Sequence, residues 1–118
     1  MPKVSKDTTE NVVEFPPAID RSSDVDGYTI NFVSIREGHD LAPMLKSLPG
    51  GNCSCPHWGY MLKGKVKVKM KDGEQVYEAG DVFYWGPGHA PEALEDSEYV
   101  DFSPTEEFQA VIRHIQGG

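Results

Sequence analysis

The residues best suited to metal chemistry lie in one short segment, GGNCSCPHWGYMLKG, residues 50–64. If this segment is extended, alternate side chains share a face, so Cys53, Cys55 and His57 point the same way. His89 follows a Gly-Pro-Gly turn and adds a fourth candidate from a neighbouring strand. Thiolate and imidazole ligands favour zinc among the divalent transition metals, with iron as the alternative. The spacing therefore predicts a metal site formed by two strands of a barrel.

Each candidate ligand also has an ordinary structural interpretation. Cysteine is among the most buried residue types, so Cys53 and Cys55 are also consistent with inert packing. The two are too close along an extended strand to form an unstrained disulfide. A histidine held by a backbone carbonyl accounts equally for His57, and a surface histidine accounts for His89. For all four residues, metal binding and an ordinary structural role both stay open.

The composition is that of a globular protein of one domain. The chain has 118 residues, of which 38% are hydrophobic and 25% charged. Eleven Lys and Arg against nineteen Asp and Glu give a net charge of −8, so a phosphate backbone would be repelled and nucleic acid is not an expected partner. No apolar run approaches the roughly 20 residues that span a bilayer. The N-terminus lacks an export-type apolar segment, which predicts a cytoplasmic protein with reduced thiols.

Regular turn signals after residue 50 predict many short strands. Glycine, proline and aspartate recur between apolar runs about every six to ten residues, as in an antiparallel sandwich or barrel. The alternation of residues 28–36 predicts a strand. Gly64 interrupts a strand pattern over residues 58–71 and indicates a bulge or a tight bend. Asp72-Gly73 predicts a two-residue hairpin turn.

The flanking segments are predicted to differ from this pattern. Residues 1–24 are expected to form an irregular N-terminal arm with one short strand at 12–15. Apolar spacing over residues 40–48 predicts a short helix before the barrel. A capping box formed by Ser103 and Glu106 predicts the start of a C-terminal helix.

The order of motifs resembles that of the cupin superfamily. The run from His57 through Gly64, the segment AGDVF at 79–83 and the segment GPGH at 86–89 match its two motif regions, over roughly residues 50–103. The resemblance implies an all-β cupin-like antiparallel β-barrel or jelly roll over residues 25–118, commonly dimeric. Many cupins hold a divalent metal with three histidines and a glutamate. Others bind sugars or small molecules, and several are enzymes.

The chain departs from the usual cupin ligand pattern at almost every position. His57 stands at the place of the glutamate, Cys53 at the second histidine and Gly51 at the first. Pro91 stands where the second motif usually has its histidine. The resemblance therefore implies at most a shifted set of metal ligands, drawn from Cys53, Cys55, His57 and His89.

Two functions remain open at this point. The first is a metal-dependent cupin enzyme acting on a small organic molecule, which the retained thiols and imidazoles favour. The second is a metal-free, non-catalytic module that binds a small molecule, which Gly51 and Pro91 favour. No catalytic acid or base is assigned. The strands around Tyr60 and Leu62 carry apolar side chains on both faces, so one apolar face is expected to remain exposed in a monomer. This predicts a homodimer that buries it.

The remaining expectations concern the pocket and the isolated histidines. Met61, Trp85 and Phe102 flank the candidate site and are predicted to line its pocket. His39 and His114 have no candidate ligands near them and are predicted to be surface residues.

Overall fold

The computed structural model describes residues 3–15, 18–39, 55–70 and 72–117. Within these ranges the chain forms two antiparallel sheets and a C-terminal helix. The strands are β1 (Asn11–Phe15), β2 (Ala18–Val25), β3 (Tyr28–Ile35), β4 (His57–Lys63), β5 (Lys65–Met70), β6 (Gly73–Glu78), β7 (Val82–Trp85), β8 (Ala90–Ala93) and β9 (Ser97–Pro104). A short 3-10 helix (Lys6–Thr8) precedes them, and helix α1 (Thr105–Gly117) follows.

The two sheets pack face to face as a jelly roll. The larger sheet has the order β1-β2-β3-β9-β4-β7, and the smaller one has the order β6-β5-β8. Side chains from both sheets form one apolar cluster, in which the rings of Phe83 and Trp85 stack at 3.9 Å between centroids. Val66 and Val68 from the smaller sheet complete this cluster and are fully buried. The predicted all-β architecture with a C-terminal helix is confirmed. No helix within the described ranges is long and apolar enough to cross a membrane.

Strand β3 shows how alternation positions the interior. Its buried residues are Thr29, Asn31, Val33 and Ile35, while the intervening side chains are half-buried or exposed. The strand predicted over residues 28–36 is therefore confirmed, and its inner face is polar in the first half and apolar in the second.

The short strand predicted at 12–15 is present as β1, but the prediction of an irregular arm is wrong for residues 18–24, which belong to β2. Strands β1 and β2 form a hairpin, and β2 pairs with β3 along its whole length, from Ala18 opposite Ile35 to Val25 opposite Tyr28. The sequence of β2, AIDRSSDV, did not indicate a strand because polar residues occupy much of its buried face. Apolar residues at alternate positions are the usual sequence sign of a half-buried strand.

The start of the C-terminal helix also differs from the prediction. Helix α1 begins at Thr105, and Ser103 remains in β9, so Ser103 is not the helix N-cap. Its hydroxyl binds a histidine in the interior instead. The apolar stripe of the helix packs inward through Phe108 and Val111, which are buried. The helix predicted over residues 40–48 lies outside the described residues.

Two predicted turns are present. Gly64 has φ +81° and connects β4 to β5, which belong to different sheets, so the predicted bend is confirmed. Asp72 lies in the turn between β5 and β6, but Gly73 already pairs with Met70. The hairpin turn therefore falls one residue earlier than predicted.

Replacing Gly64 by alanine is expected to cost about 3 kcal/mol of unfolding free energy, measured by urea denaturation. Its positive φ is unfavourable for alanine, and the added Cβ would overlap the carbonyl oxygen of Asp96 and the side chain of Ser97. Gly80→Ala is the matched control because Gly80 has φ +98° and no atom within 4 Å of an added Cβ. It should cost only about 1 kcal/mol. Equal losses in the two variants would show that close packing at Gly64 is unimportant.

Candidate functional site

One end of the interior is polar. Strands β2, β3 and β9 each place two polar side chains inward, at positions separated by two residues. They are Asp20 and Ser22, Thr29 and Asn31, and Asp101 and Ser103, all buried. Asn31 lies opposite both Ser22 and Asp101, and Thr29 lies opposite Ser103. Burying this many polar groups together opposes folding unless they bind one another or a ligand.

His57 extends this polar end onto strand β4. It is the first residue of the strand, is 8% exposed, and its Nδ1 lies 2.5 Å from Oγ of Ser103. The Ser103 hydroxyl also lies 3.5 Å from Oδ1 of Asp101, and Oδ2 of Asp101 lies 3.9 Å from Nδ1 of His57. When the serine hydroxyl donates to Asp101, Nδ1 of His57 donates to the serine oxygen. The imidazole orientation is therefore fixed from β9.

His89 is held by the turn that precedes it. Its Nδ1 lies 2.7 Å from the carbonyl oxygen of Gly86, and the side chain is 2% exposed. A carbonyl can only accept, so Nδ1 of His89 carries the proton and its Nε2 carries the lone pair. The Gly-Pro-Gly segment makes this contact possible because Gly88 adopts φ +94°. The turn predicted from the sequence thus orients the imidazole.

The structure brings the two histidines into direct contact. Their ring centroids are 4.7 Å apart with an edge-to-face orientation, and the ring of His89 lies 5.7 Å from that of Trp85. Burial, and secondarily the charge of His89, lowers the pKa of His57 to about 3. Burial also lowers the pKa of His89. Both imidazoles are therefore neutral at pH 7 and can act as hydrogen-bonding groups or as metal ligands.

The two buried carboxyl groups of the polar end, Asp20 and Asp101, also have shifted pKa values. Burial raises the pKa of Asp101 well above its usual range, and the nearby charge of Asp20 raises it further. Burial raises the pKa of Asp20 to about 7, although Asn31 Nδ2 donates to its Oδ2 at 3.1 Å. Among the described residues, two fully buried polar atoms have no hydrogen-bond partner: Asn31 Oδ1 and Trp85 Nε1. A bound polar molecule could supply the hydrogen bonds that these two atoms lack.

The predicted four-residue metal set is only partly assembled by the residues described. His57 and His89 adjoin, and Cys55 is buried with its Sγ 3.7 Å from the carbonyl oxygen of Pro56. Cys53 lies outside the described residues. Across the described part of the chain, no three His, Cys, Asp or Glu side chains are grouped to hold an ion. These residues alone therefore do not fit a complete metal centre.

The predicted pocket residues divide between the two faces of the larger sheet. Met61 and Trp85 are fully buried in the interior. Phe102 is 41% exposed and pairs across the strands with Ile30 and Trp58, so its prediction as a pocket residue is wrong. Strand alternation explains the error, because the residues on either side of Phe102 are the ones that point inward. His39 is exposed as predicted, and the side chain of His114 is outside the described residues.

Four residues of the polar end were not predicted from the sequence: Asp20, Asn31, Asp101 and Ser103. A usable signal was present, because two polar residues at alternate positions occur in three separate strands: D-R-S in β2, T-I-N in β3 and D-F-S in β9. Antiparallel pairing can align such pairs at one end of a sheet. Only the register of the strands shows that they are aligned.

Comparison with known proteins identifies similar folds at low sequence identity. No family model and no curated protein matches the sequence. Ectoine synthase from P. lautus superposes with a TM-score of 0.66 and 12% identity, over 88% of this chain and 78% of that chain. An RmlC-like cupin from Shewanella frigidimarina gives 0.62 and 16% identity, over 86% and 88%. KdgF from a Halomonas species gives 0.58 and 20%, over 80% and 88%. At these identities the likeness establishes the fold alone.

Proposed function

Since this chain has the cupin fold, we propose that it binds a small organic molecule at the polar end of its interior. The observation that carries this proposal is the contact between His57 and His89, each of which is oriented through Nδ1 by a different partner. Two buried imidazoles side by side lower stability in acid and contribute less to packing than apolar side chains would. Such an arrangement is typical of a binding site, where function offsets the loss of stability.

The chemistry of the site indicates the groups that a ligand would carry. Nε2 of His89 is an acceptor, and Nε1 of Trp85 is a donor without a described partner. The apolar cluster that contains Met61 and Tyr99 begins next to this polar end. We therefore expect a ligand with hydroxyl or carbonyl groups at one end and a small apolar portion at the other.

Equilibrium dialysis against a cell metabolite extract tests this proposal. Compounds that bind inside the protein should be enriched in the protein compartment and identified by mass spectrometry. We expect the double variant His57→Asn, His89→Asn to lose this enrichment. His39→Asn, which changes an exposed histidine, should keep it. Equal enrichment by the double variant and the wild type would overturn the proposal.

A metal-dependent enzyme is the second candidate function. The orientation of His89 favours it, because a metal-binding histidine usually donates its other ring nitrogen to a carbonyl or carboxylate. His57, Cys55 and Cys53 would then be the other candidate ligands, and this ligand chemistry favours zinc over iron. Elemental analysis of untagged protein distinguishes the two functions. One transition-metal ion per chain that is lost in His57→Ala and kept in His39→Ala supports the enzyme.

We further propose that the protein is a cytoplasmic homodimer. The outer surfaces of β9, β4 and β7 form an apolar strip with Val100, Phe102, Trp58, Tyr60, Leu62, Val82 and Tyr84. Trp58 is 61% exposed, and its ring lies 4.7 Å from that of Tyr84. A continuous exposed apolar surface is typical of an interface. Trp58→Lys should produce a monomer in sedimentation experiments, whereas Val12→Lys, on the edge strand β1, should not.

A further inference from the structure

A cavity lies between the β1–β2 hairpin and helix α1. Its volume is about 520 Å³. It is lined by apolar side chains and by acidic and polar ones, including Val13, Phe108, Ile112, Glu10, Asp20 and Asp24. Neither His57 nor His89 lines it, and among the described residues it shares Asp20 and Ser22 with the polar end of the interior.

Asp20 is a buried acidic residue of this cavity. Its side chain lines the cavity although the residue is only 6% exposed. One carboxyl oxygen, Oδ2, accepts from Asn31. Within the described parts of the chain, Oδ1 of Asp20 receives no hydrogen bond. A donor placed in the cavity would complete the hydrogen bonding of this carboxylate.

The charges around Asp20 favour a positively charged donor. Glu10 and Asp24 lie on the cavity wall, and Asp101 lies behind Asp20 on the interior side. Among the lining residues that the structure describes, Arg113, which is exposed, is the single cationic side chain. Because burial raises the pKa of Asp20 to about 7, a cation beside it would restore the ionised form. An anionic ligand would instead meet three carboxyl groups.

The apolar residues that line the cavity are suited to contact a short hydrocarbon chain. Phe108 is buried and Ile112 is half-buried, and both come from one face of α1. Val13 of β1 lies opposite Asp20 in the hairpin and extends this apolar surface. A carboxylate from the hairpin together with apolar side chains, mainly from the helix, matches a cation that carries a short hydrocarbon chain.

We propose that this cavity is a binding site for a small organic ammonium ion, whose nitrogen donates to Asp20 and whose hydrocarbon chain packs on Phe108 and Ile112. This inference goes beyond the proposed function because it concerns a cavity that neither His57 nor His89 lines and another class of ligand.

Titration with three probes of similar shape tests the proposal. n-Butylammonium, n-butanol and n-butyrate are added separately to the wild-type protein at about pH 8, and amide shifts are followed by two-dimensional NMR. We expect n-butylammonium to shift signals of residues 108–113 and of β2. Its affinity should exceed that of n-butanol by about tenfold, as for a charge-assisted hydrogen bond. n-Butyrate should bind more weakly than either.

Two variants assign the binding to this cavity. Asp20→Asn keeps an acceptor for Asn31 and should lower the affinity for n-butylammonium to that for n-butanol. Glu14→Gln removes an equal charge from the exposed outer side of β1 and should leave the affinity unchanged. Ile112→Trp should fill the cavity and weaken the binding of both n-butylammonium and n-butanol.

Several results would overturn the proposal. These are equal affinities for n-butylammonium and n-butanol, tighter binding of n-butyrate, unchanged affinity in Asp20→Asn, or no shifts at tens of millimolar probe. The signals of His57 and His89 report separately on the interior site. Loss of metabolite binding there would leave the ammonium titration unaffected, so failure of either proposal can be recognised independently.

Discussion

Asp20→Asn is expected to stabilise the protein more at about pH 8.5 than at about pH 5.5, with a difference of about 2 kcal/mol between the two values. Burial raises the pKa of Asp20 from 3.8 to about 7. The folded state therefore binds the proton more tightly than the unfolded state. The stabilising contribution of the protonated carboxyl is complete below pH 3.8 and is lost as the pH rises through 7.

Asparagine keeps the shape of Asp20 and an acceptor for Asn31 but does not titrate. Urea denaturation at both pH values measures the difference, and Asp7→Asn, which changes an exposed carboxylate, is the control. A stabilisation that is the same at both pH values would mean that folding does not raise the pKa of Asp20. The expected gain at high pH is also consistent with a carboxylate retained for binding, because binding sites commonly lower stability.

His57→Asn is expected to reduce the loss of stability in acid by about 2 kcal/mol between pH 7 and pH 5. Burial lowers the pKa of His57 from 6.5 to about 3. The unfolded state therefore takes up a proton that the folded state does not. The contribution of neutral His57 is complete above pH 6.5 and is lost as the pH falls toward 3.

The matched control is His39→Asn because His39 is exposed. Unfolding is measured with urea in the presence of a chelator, so that bound metal does not contribute. His39→Asn should show the same dependence on pH as the wild type. If His57→Asn also kept the wild-type dependence, the imidazole of His57 would be accessible to solvent.

The elements with apolar alternation or strong turn residues could be predicted from the sequence. Strand β3 combines β-branched residues with a period of two, and Gly64 interrupts a run that would otherwise continue as one strand. The positions of His57 at the start of β4 and of His89 just before β8 followed from the same pattern. Their contact at 4.7 Å is consistent with the predicted shared site, although it does not establish a metal.

The sequence contains the polar pairs of the interior but does not show that they align, because each residue also fits another local role. Ser103 followed by proline and Glu106 has the pattern of a helix N-cap, but the hydroxyl binds His57 and the helix begins later. Strand β2 did not show an apolar face because Asp20 occupies an inward position. Both errors have one physical cause: hydrogen bonds between strands distant in sequence satisfy groups that local rules assign to solvent.

Binding of a small organic molecule in the interior is tested by the 15N spectrum of the histidine side chains, recorded while a cell metabolite extract is added to the untagged protein. Before addition, His89 should show a protonated Nδ1 and an unprotonated Nε2, as its bond to Gly86 requires. The signals of His57 and His89 should shift together and saturate, while the signal of exposed His39 stays in place. If the extract leaves both buried histidines unchanged, or shifts only His39, the interior is not a binding site for a small organic molecule.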